Sequence, residues 1–311
     1  MWEDIPEAAI LLQNNRRNDK FLPGAALATN VTVTSDLQSA LRGSQAVVFA
    51  IPSEGAAQAA EKAAPYIPSD AIIINAAKGL EPNTGRRLSQ VLASAVALAS
   101  GQAEDTVLQR LAALSGPNLA VEVAQGIPSA SVAASISHET ACMCQELFMG
   151  PTFRVYTSSD IVGVELAGAM KNVVAIGCGI CEGCGYGDNT RAALMTRGLA
   201  EITRLGAALG AQPATFLGLA GVGDLIATGG SKLSRNYRVG VGLGQGRSLP
   251  DILEEIGQVA EGVPTTKAIC LLSQQTGIEM PIAQTLYSTL FEGLSIKEAI
   301  THLMLRPPRE E

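Results

Sequence analysis

The sequence predicts an α/β protein in which an N-terminal parallel sheet is followed by an all-helical domain. Two apolar, β-branched runs at 47–51 and 71–76 lie on either side of an alanine-rich, helix-compatible stretch at 54–64. Continuous apolar strands that alternate with helices are typical of a parallel sheet covered on both faces. In the second half of the chain such runs stop, and leucines recur at helical spacing. We therefore predict two domains, at 1–158 and 159–311.

Weaker patterns supply the remaining elements of both domains. We predict further strands at 31–33, 111–114, 129–136 and 154–156, and helices at 249–256, 265–276 and 282–291. Two glycine-rich stretches, 177–183 and 240–246, neither match G-x-G-x-x-G nor follow a predicted strand. Both therefore lack the context of a phosphate-binding loop, and we expect turns and close helix contacts there.

Length and charge exclude several classes of protein. The chain has 311 residues, of which 47% are hydrophobic, so it is long enough for two domains with their own cores. The 22 Lys and Arg against 29 Asp and Glu give a net charge of −7, which argues against nucleic acid or an anionic membrane as partner. The sequence shows no signal peptide and no uncharged apolar run of about 20 residues. We expect a cytoplasmic protein with no membrane span.

The six cysteines suggest structural thiols. Cys178, Cys181 and Cys184 are spaced C-x-x-C-x-x-C, but the fourth position of a ferredoxin-like run is Asp188. The chain contains only two histidines, which leaves a zinc site poorly supported. A well-cored chain without a secretion signal keeps its thiols reduced. We therefore expect free cysteines and no bound metal.

Two lysines stand out against their surroundings. Lys78 directly follows an apolar strand, in a loop at the carboxyl end of the predicted sheet, where open α/β sheets bind ligands. Lys171 interrupts the apolar stretch 162–176, which contains one other charge, Glu165. Burial and neighbouring cations lower the pKa of a lysine, which makes it a usable proton donor or acceptor near neutral pH. Asp224, on a glycine-rich turn, is a candidate partner.

A possible phosphate site follows in the helical half. Ser234, Arg235 and Asn236 place a guanidinium fork beside two neutral hydrogen-bonding groups, and arginine binds phosphate in bidentate fashion. Taken singly, each of these residues is better explained as a solvated or capping residue, so composition and spacing alone leave the function open.

Eight motifs, in order along the chain, resemble those of the NAD(P)-dependent glycerol-3-phosphate dehydrogenases, and most closely the bacterial type. They are NDKFLP (18–23), AKGLE (77–81), SGP (115–117), GAMKNVVAIG (168–177), TRGLAE (196–201), GDL (223–225), SRN (234–236) and GQVAEG (257–262). The resemblance extends from Trp2 to about residue 305. It implies a Rossmann-like sheet, NAD or NADP as cofactor, and interconversion of dihydroxyacetone phosphate and sn-glycerol 3-phosphate, which supplies glycerophospholipid synthesis.

The resemblance also implies a role for individual residues. Lys171 resembles the catalytic acid or base on the C2 oxygen of the substrate, with Lys78 and Asp224 as supporting charges. The positions that match substrate contacts are Lys78, Gly116, Asn118, Lys171, Asn172, Asp224, Thr228, Ser234, Arg235 and Asn236. Those that match cofactor contacts are Trp2, Lys78, Ala120, Arg235, Val259 and Glu261. A homodimer formed through the helical half is the corresponding expectation for assembly.

Three departures from the family pattern concern substrate and cofactor. Asn118 stands where the family usually has Thr, and Asn can still donate and accept hydrogen bonds. The family opens with a strand, a G-x-G-x-x-G loop and a helix, whereas Met1 and Trp2 resemble the end of its second strand. We therefore expect the first strand and the glycine loop to be missing, with unpaired strand edges and no helix N-terminus to hold the pyrophosphate. Asp4 replaces a common Arg, which disfavours a 2′-phosphate and favours NAD.

Two alternatives to this enzyme remain open from the sequence. One is a truncated, inactive relative that serves as a binding or dimerisation module. The other is a neighbouring dehydrogenase, such as a β-hydroxyacid dehydrogenase or a ketopantoate reductase, which shares the two-domain plan and a catalytic lysine. The motifs at 77–81 and 234–236 favour a phosphorylated triose over the substrates of these enzymes.

Overall fold

The computed structural model of the protein describes residues 1–308. Its sheet has five strands in the order in which they occur in the chain: β1 (Ala46–Phe49), β2 (Ile72–Asn75), β3 (Leu111–Ser115), β4 (Ser129–Ala134) and β5 (Phe153–Ser158). β1, β2 and β3 are parallel, with Ala46 opposite Ile72 and Ile73 opposite Leu111. Their carboxyl ends therefore meet at one edge of the sheet.

The prediction of an α/β sheet followed by helices is confirmed, but the expectation of an entirely parallel sheet is wrong at one pair. β4 runs antiparallel to β3, with Ala113 opposite Ala134, and β5 is again parallel to β4. The connection between β3 and β4 contains only a five-residue helix. The longer connection from β4 to β5 carries an eleven-residue helix, as is usual between parallel strands.

Seven helices accompany the sheet in the first half of the described chain. They are α1 (Pro6–Asn15), α2 (Leu37–Leu41), α3 (Ala56–Ala63), α4 (Leu88–Ser100), α5 (Glu104–Gln109), α6 (Ala120–Ala124) and α7 (His138–Phe148). The helix predicted at 54–64 is present as a 3-10 turn followed by α3, and Pro65 lies in a second 3-10 turn that ends it.

The strand predicted at 31–33 is wrong. Residues 31–33 pair with no strand; the adjacent Thr34 forms a single bridge with Trp2, and Val33 packs in a small separate core with Ala9 and Leu12. A strand needs a neighbour along its whole length, and Trp2 supplies one residue of pairing. Within the described residues β1 has a neighbouring strand on one side only, and Val48 on it is 47% exposed.

The second half of the described chain is helical. Its helices are α8 (Ile161–Gly183), α9 (Asp188–Ala208), α10 (Pro213–Phe216), α11 (Asp224–Gly229), α12 (Arg235–Gly244), α13 (Leu249–Ile256), α14 (Gly262–Thr276), α15 (Pro281–Phe291) and α16 (Ile296–Met304). α13 has the predicted bounds, α14 begins three residues earlier than predicted, and α15 begins at Pro281, a residue suited to the first helical position.

Helix α8 is the central element of this half. It is 23 residues long and is the one helix of the described chain that is long and apolar enough to cross a bilayer, yet 89% of its most apolar window is buried inside the protein. β5 ends at Ser158 and α8 begins at Ile161, close to the predicted boundary. The division into two domains stays a prediction, because one hydrophobic cluster contains residues from both halves, such as Ile73 and Leu205.

The two glycine-rich stretches form the crossing of α8 and α12. A Cβ at Gly179 would lie 2.0 Å from the carbonyl oxygen of Tyr237, and one at Gly240 would lie 1.9 Å from that of Ile176. The backbones of the two helices therefore touch, and any larger side chain would force them apart. The predicted close helix contact is confirmed, whereas the predicted turns are wrong for 177–183, which is helical throughout, and for 240–244.

Candidate active site

Two lysines share one buried carboxylate where the carboxyl ends of β2 and β3 meet the helical half. Lys78 Nζ lies 2.8 Å from Asp224 Oδ2, and Lys171 Nζ lies 2.9 Å from Asp224 Oδ1. Asp224 is 1% exposed and Lys171 is 5% exposed. The structure thus brings together the three residues that the sequence singled out as charged groups of the site.

The carboxylate is positioned by an unusual turn. Asp224 is the first residue of α11 and follows a π-helical turn, Leu219–Gly223. The turn is tight enough that a Cβ at Gly221 would lie 2.0 Å from the carbonyl oxygen of Phe216. One turn further along α11, Thr228 Oγ1 donates to Asp224 Oδ1 at 3.1 Å and accepts a hydrogen bond from Lys171. Thr228 is therefore part of the cluster.

Three acceptors hold the ammonium group of Lys78. Besides Asp224, it donates to the carbonyl oxygen of Gly116 at 2.7 Å and to Asn118 Oδ1 at 2.6 Å. Gly116 has φ 145°, and a Cβ there would lie 2.8 Å from Ser131 Cα, so the position requires glycine. Asn118, the departure from the family pattern, still supplies an acceptor, and its Nδ2 donates to Ser131 Oγ at 3.0 Å.

Burial and charge tune this cluster in opposite directions. Burial, reinforced by the ammonium of Lys78, lowers the pKa of Lys171 to about 8, even though Asp224 acts to raise it. Burial acts against the ionised carboxylate of Asp224, but Lys78 and Lys171 outweigh it and hold the pKa of Asp224 below its ordinary value. The site therefore combines a permanently charged carboxylate with a lysine that can hold or release a proton near neutral pH.

A chain of amides links the lysine cluster to the start of α12. Asn172 Nδ2 donates to the carbonyl oxygen of Lys78 at 3.0 Å, and Asn236 Nδ2 donates to Asn172 Oδ1 at 2.9 Å. Asn236 Oδ1 in turn accepts from the backbone N–H of Gly262 at 2.8 Å. Ser234 caps α12, so both predicted amides and Ser234 lie beside the cluster.

Glu261 and Ser53 form a second contact between the sheet and the helical half. Ser53 follows β1, and its backbone N–H donates to Glu261 Oε1 at 2.8 Å while its hydroxyl donates to Oε2. Burial raises the pKa of Glu261, whereas the hydrogen bonds from Ser53 and the charge of Arg235 act in the opposite direction. Arg235 also lowers the pKa of Lys171, so its exposed guanidinium influences both Glu261 and Lys171.

Trp2, Ala120 and Val259, which are also predicted to contact the cofactor, lie in three different parts of the chain. Ala120 and Val259 are exposed, and Val259 is two residues from Glu261. The contacts of Trp2 lie in the N-terminal segment, where its indole Nε1 donates to the carbonyl oxygen of Ser35 at 3.2 Å. The residues that the structure describes contain no G-x-G-x-x-G loop.

The thiols are separate from this site. All six cysteines are free, and Cys178 and Cys181 are buried on α8. Burial raises the pKa of the Cys178 thiol to about 12, which is typical of an unreactive structural thiol. The described residues contain no group of three potential metal ligands.

Three residues near the site were not selected from the sequence as site residues. Ser53 meets Glu261 as described above, and Asn75 and Glu165 are hydrogen-bonded to each other beside Lys78. The available signals were modest: a polar residue at the end of an apolar strand for Asn75, and a charge inside an apolar helix for Glu165.

Comparisons with known proteins agree on one family. The profile for the NAD-dependent glycerol-3-phosphate dehydrogenase N-terminus matches residues 1–141, and the profile for the C-terminus matches residues 160–301. The chain is 47% identical over 311 residues to glycerol-3-phosphate dehydrogenase (NAD(P)+) of Pelotomaculum thermopropionicum, of which it covers 87%. It is 45% identical to the enzyme of that name from Moorella thermoacetica, of which it covers 90%.

A solved structure gives the same result. The structure of glycerol-3-phosphate dehydrogenase from Coxiella burnetii matches with a TM-score of 0.91 and 34% identity, over 98% of this chain and 90% of that chain. These matches confirm the family, the fold class, the class of enzyme and the choice of NAD or NADP as cofactor that the motifs implied. The chain belongs to the NAD-dependent glycerol-3-phosphate dehydrogenase family.

Proposed function

We propose that this chain interconverts dihydroxyacetone phosphate and sn-glycerol 3-phosphate with NADH or NADPH. The observation that carries the proposal is the Lys171–Asp224–Lys78 cluster, in which a buried lysine with a pKa of about 8 lies at the carboxyl end of the sheet. Reduction of a ketone needs a proton donor for the developing alkoxide, and a donor works best when its pKa lies near the working pH.

In the proposed reaction Lys171 donates its proton to the C2 oxygen of the ketone. The reduced nicotinamide supplies the hydride to C2 when it is bound. Lys78 lies on the other oxygen of Asp224, so its positive charge favours negative charge that develops on the substrate. Asp224 balances the two ammonium groups and keeps Lys171 aimed at the substrate. In the reverse direction the neutral amine of Lys171 accepts the hydroxyl proton.

The phosphate of the substrate is proposed to bind at the start of α12. Arg235 supplies a bidentate cationic fork, and the hydroxyl of Ser234 can still donate while its oxygen caps the helix. Asn172 uses both of its side-chain N–H bonds on the carbonyl oxygens of Lys78 and Gly168, so its proposed contribution is to fix the wall of the site. Asn236 uses one of its two and can offer the other to the substrate. Gly116, Asn118 and Thr228 contribute through the groups they place beside the two lysines.

The cofactor is proposed to contact Glu261, Val259, Ala120, Arg235 and Trp2, with Lys78 near the nicotinamide. Asp4, which would disfavour a 2′-phosphate, is exposed and lies 3.7 Å from Lys62 in an ion pair. We propose NAD over NADP on this ground. Both reactants are water-soluble phosphorylated or nucleotide metabolites, so we propose that the enzyme acts in the cytoplasm, as a homodimer, and that its product supplies glycerophospholipid synthesis.

The experiment that tests the proposal compares wild-type protein with Lys171→Ala. Wild-type protein is expected to show saturable NADH fluorescence and oxidation of NADH that depends on dihydroxyacetone phosphate. Lys171→Ala is expected to lose most of its turnover, with the Kd for NADH within about twofold of wild type, because the lysine acts on the substrate oxygen. Near-normal turnover in the variant would remove Lys171 from its role. NADH binding by wild-type protein without turnover would favour a binding module.

A further inference from the structure

A buried hydrogen-bond network ties the loop that carries Lys78 to helix α8. Asn75, the last residue of β2, is 2% exposed, and its side-chain amide makes three hydrogen bonds. Its Oδ1 accepts from the backbone N–H of Ala77 at 3.1 Å, and its Nδ2 donates to the carbonyl oxygen of Ala77 at 3.3 Å. The same Nδ2 donates to Glu165 Oε1 at 3.0 Å. One amide therefore fixes the backbone directly before Lys78.

Glu165 is the anchor of this amide. It lies in α8, six residues before Lys171, and is 6% exposed. Besides Asn75, its carboxylate accepts from Arg87 Nη1 at 2.8 Å, from the backbone N–H of Ser89 at 2.9 Å and from the Ser89 hydroxyl. All of these partners lie between the end of β2 and the first turn of α4. A buried carboxylate with this many partners is held in place from several sides, and it therefore offers a fixed acceptor to Asn75.

Two sets of contacts fix the position of Lys78. The network of Asn75 and Glu165 holds the backbone before it, and helix α8 contacts Lys78 directly. Its carbonyl oxygen accepts from Asn172 Nδ2 at 3.0 Å. Its ammonium group has three N–H bonds, and Gly116, Asn118 and Asp224 together accept all three. A fully committed ammonium group cannot follow a shift of its own backbone without losing at least one partner. Displacements of about 1 Å at such a group can cost on the order of a hundredfold in rate.

We propose that Asn75, anchored by Glu165, is a positioning residue for Lys78. Glu165 keeps Arg87 and Ser89 as partners without Asn75, so the charge of Glu165 does not by itself require an amide at this place. The amide instead uses its donor and its acceptor on the two backbone groups of Ala77. The inference rests on the proposed function, in which Lys78 supports proton transfer from Lys171.

The test is a double-mutant cycle between Asn75→Ala and Lys78→Met, measured as kcat for reduction of dihydroxyacetone phosphate. Asn75→Ala alone is expected to lower kcat about tenfold or more, with the Kd for NADH within about twofold of wild type. In the Lys78→Met background the same substitution is expected to change kcat by less than about twofold, because a residue that acts through Lys78 has nothing left to position.

Ser135→Ala is the matched control. Ser135 is 1% exposed, and its hydroxyl donates at 2.7 Å to the carbonyl oxygen of Leu111, at the opposite end of β3 from the site. This variant loses a buried hydrogen bond to the same sheet and is expected to keep the wild-type kcat. Asn75→Leu, which keeps the shape of the side chain and removes its donor and its acceptor, serves if Asn75→Ala does not fold, and the same non-additivity is expected of it.

Each other result overturns the inference in a recognisable way. Equal losses of kcat from Asn75→Ala in both backgrounds, or a loss of the same size in Ser135→Ala, would show that the network only stabilises the fold. Wild-type kcat in a folded Asn75→Ala would show that the loop needs no positioning. Wild-type kcat in Lys78→Met would overturn the role of Lys78 itself, and with it that part of the proposed function.

Discussion

The charge of Lys78 should control the pH at which Lys171 loses its proton, and Lys78→Met tests this. Methionine has a similar length and no charge, so the substitution removes one of the two cations that share Asp224. Burial and the charge of Lys78 both lower the pKa of Lys171, to about 8. With Lys78 gone, Asp224 has only Lys171 to neutralise, and the pKa of Lys171 must rise.

The size of the shift follows from the geometry. The two Nζ atoms lie 2.8 Å and 2.9 Å from the two oxygens of one carboxylate. They are therefore roughly 5 Å apart, and two unit charges at that distance repel by about 3 kcal/mol at an effective dielectric constant of about 20. Since one pKa unit corresponds to about 1.4 kcal/mol, this repulsion corresponds to about 2 units. The side chain of Lys78 is 18% exposed, so solvent screens part of the repulsion and we expect the pKa of Lys171 to rise by about 1 to 2 units. The protonated donor then persists to a correspondingly higher pH.

The assay is the pH dependence of kcat/KM for dihydroxyacetone phosphate reduction, which reports the pKa of groups in the free enzyme. For wild-type protein we expect activity to fall as the pH rises through about 8, and for Lys78→Met we expect this fall to move upward by about 1 to 2 pH units, whatever the loss in absolute rate. Lys62→Met removes an exposed lysine and is expected to leave the profile in place. An unchanged or downward-shifted profile in Lys78→Met would refute the coupling of the two lysines.

Three further predictions concern the phosphate site, pH-dependent stability and helix packing. Arg235→Ala is expected to raise the KM for dihydroxyacetone phosphate about tenfold or more with a smaller change in kcat, since a lost charged hydrogen bond costs roughly 1.5–3 kcal/mol; an unchanged KM in steady-state assays would count against a phosphate contact. Burial raises the pKa of Glu201 to about 7. Between about pH 4.5 and pH 7 the Glu201 carboxyl keeps its proton in the folded protein but loses it in the unfolded chain. The free energy of unfolding should therefore fall by roughly 3 kcal/mol as the pH rises through this range. Urea unfolding of Glu201→Gln across this range should lack that fall, and parallel curves for both proteins would contradict the assignment. Gly240→Ala should lower the free energy of unfolding by at least about 1–3 kcal/mol, because the new Cβ would lie 1.9 Å from a carbonyl oxygen, whereas Gly150→Ala, with nothing within 4 Å of its Cβ, should not.

The charged residues of the site could be predicted from the sequence because charge is conspicuous in an apolar context. Lys171 inside the long apolar helix and Lys78 after an apolar strand both required a partner, and Asp224 followed a glycine-rich turn. The structure joins all three at 2.8–2.9 Å. The strands β2 and β3 were predictable from their sequence, since buried strands are continuous apolar runs.

The contacts between the two halves could not be predicted in this way. Ser53 and Glu261 are 208 residues apart in the chain, and Asn75 and Glu165 are 90 residues apart. A single polar residue at the end of a strand can face solvent, form a turn or contact a buried partner. The residue type alone does not indicate which of these occurs. The direction of β4 was missed because a run of apolar residues has the same pattern in either direction.

The glycines of α8 show most clearly what spacing indicates and what it leaves open. A Cβ at Gly168 would lie 2.4 Å from Ser115 Oγ of β3, one at Gly177 would lie 2.8 Å from Leu194 of α9, and one at Gly179 would meet α12. These three glycines thus allow β3, α9 and α12 to approach α8 closely. Lys171 lies on the same helix, between Gly168 and Gly177. Each approach depends on the absence of a side chain. The sequence therefore indicates that another element packs closely at these glycines, but it does not indicate which element. The same close packing excludes water around Lys171, so the residues that bring these elements together also bury the ammonium group and lower its pKa.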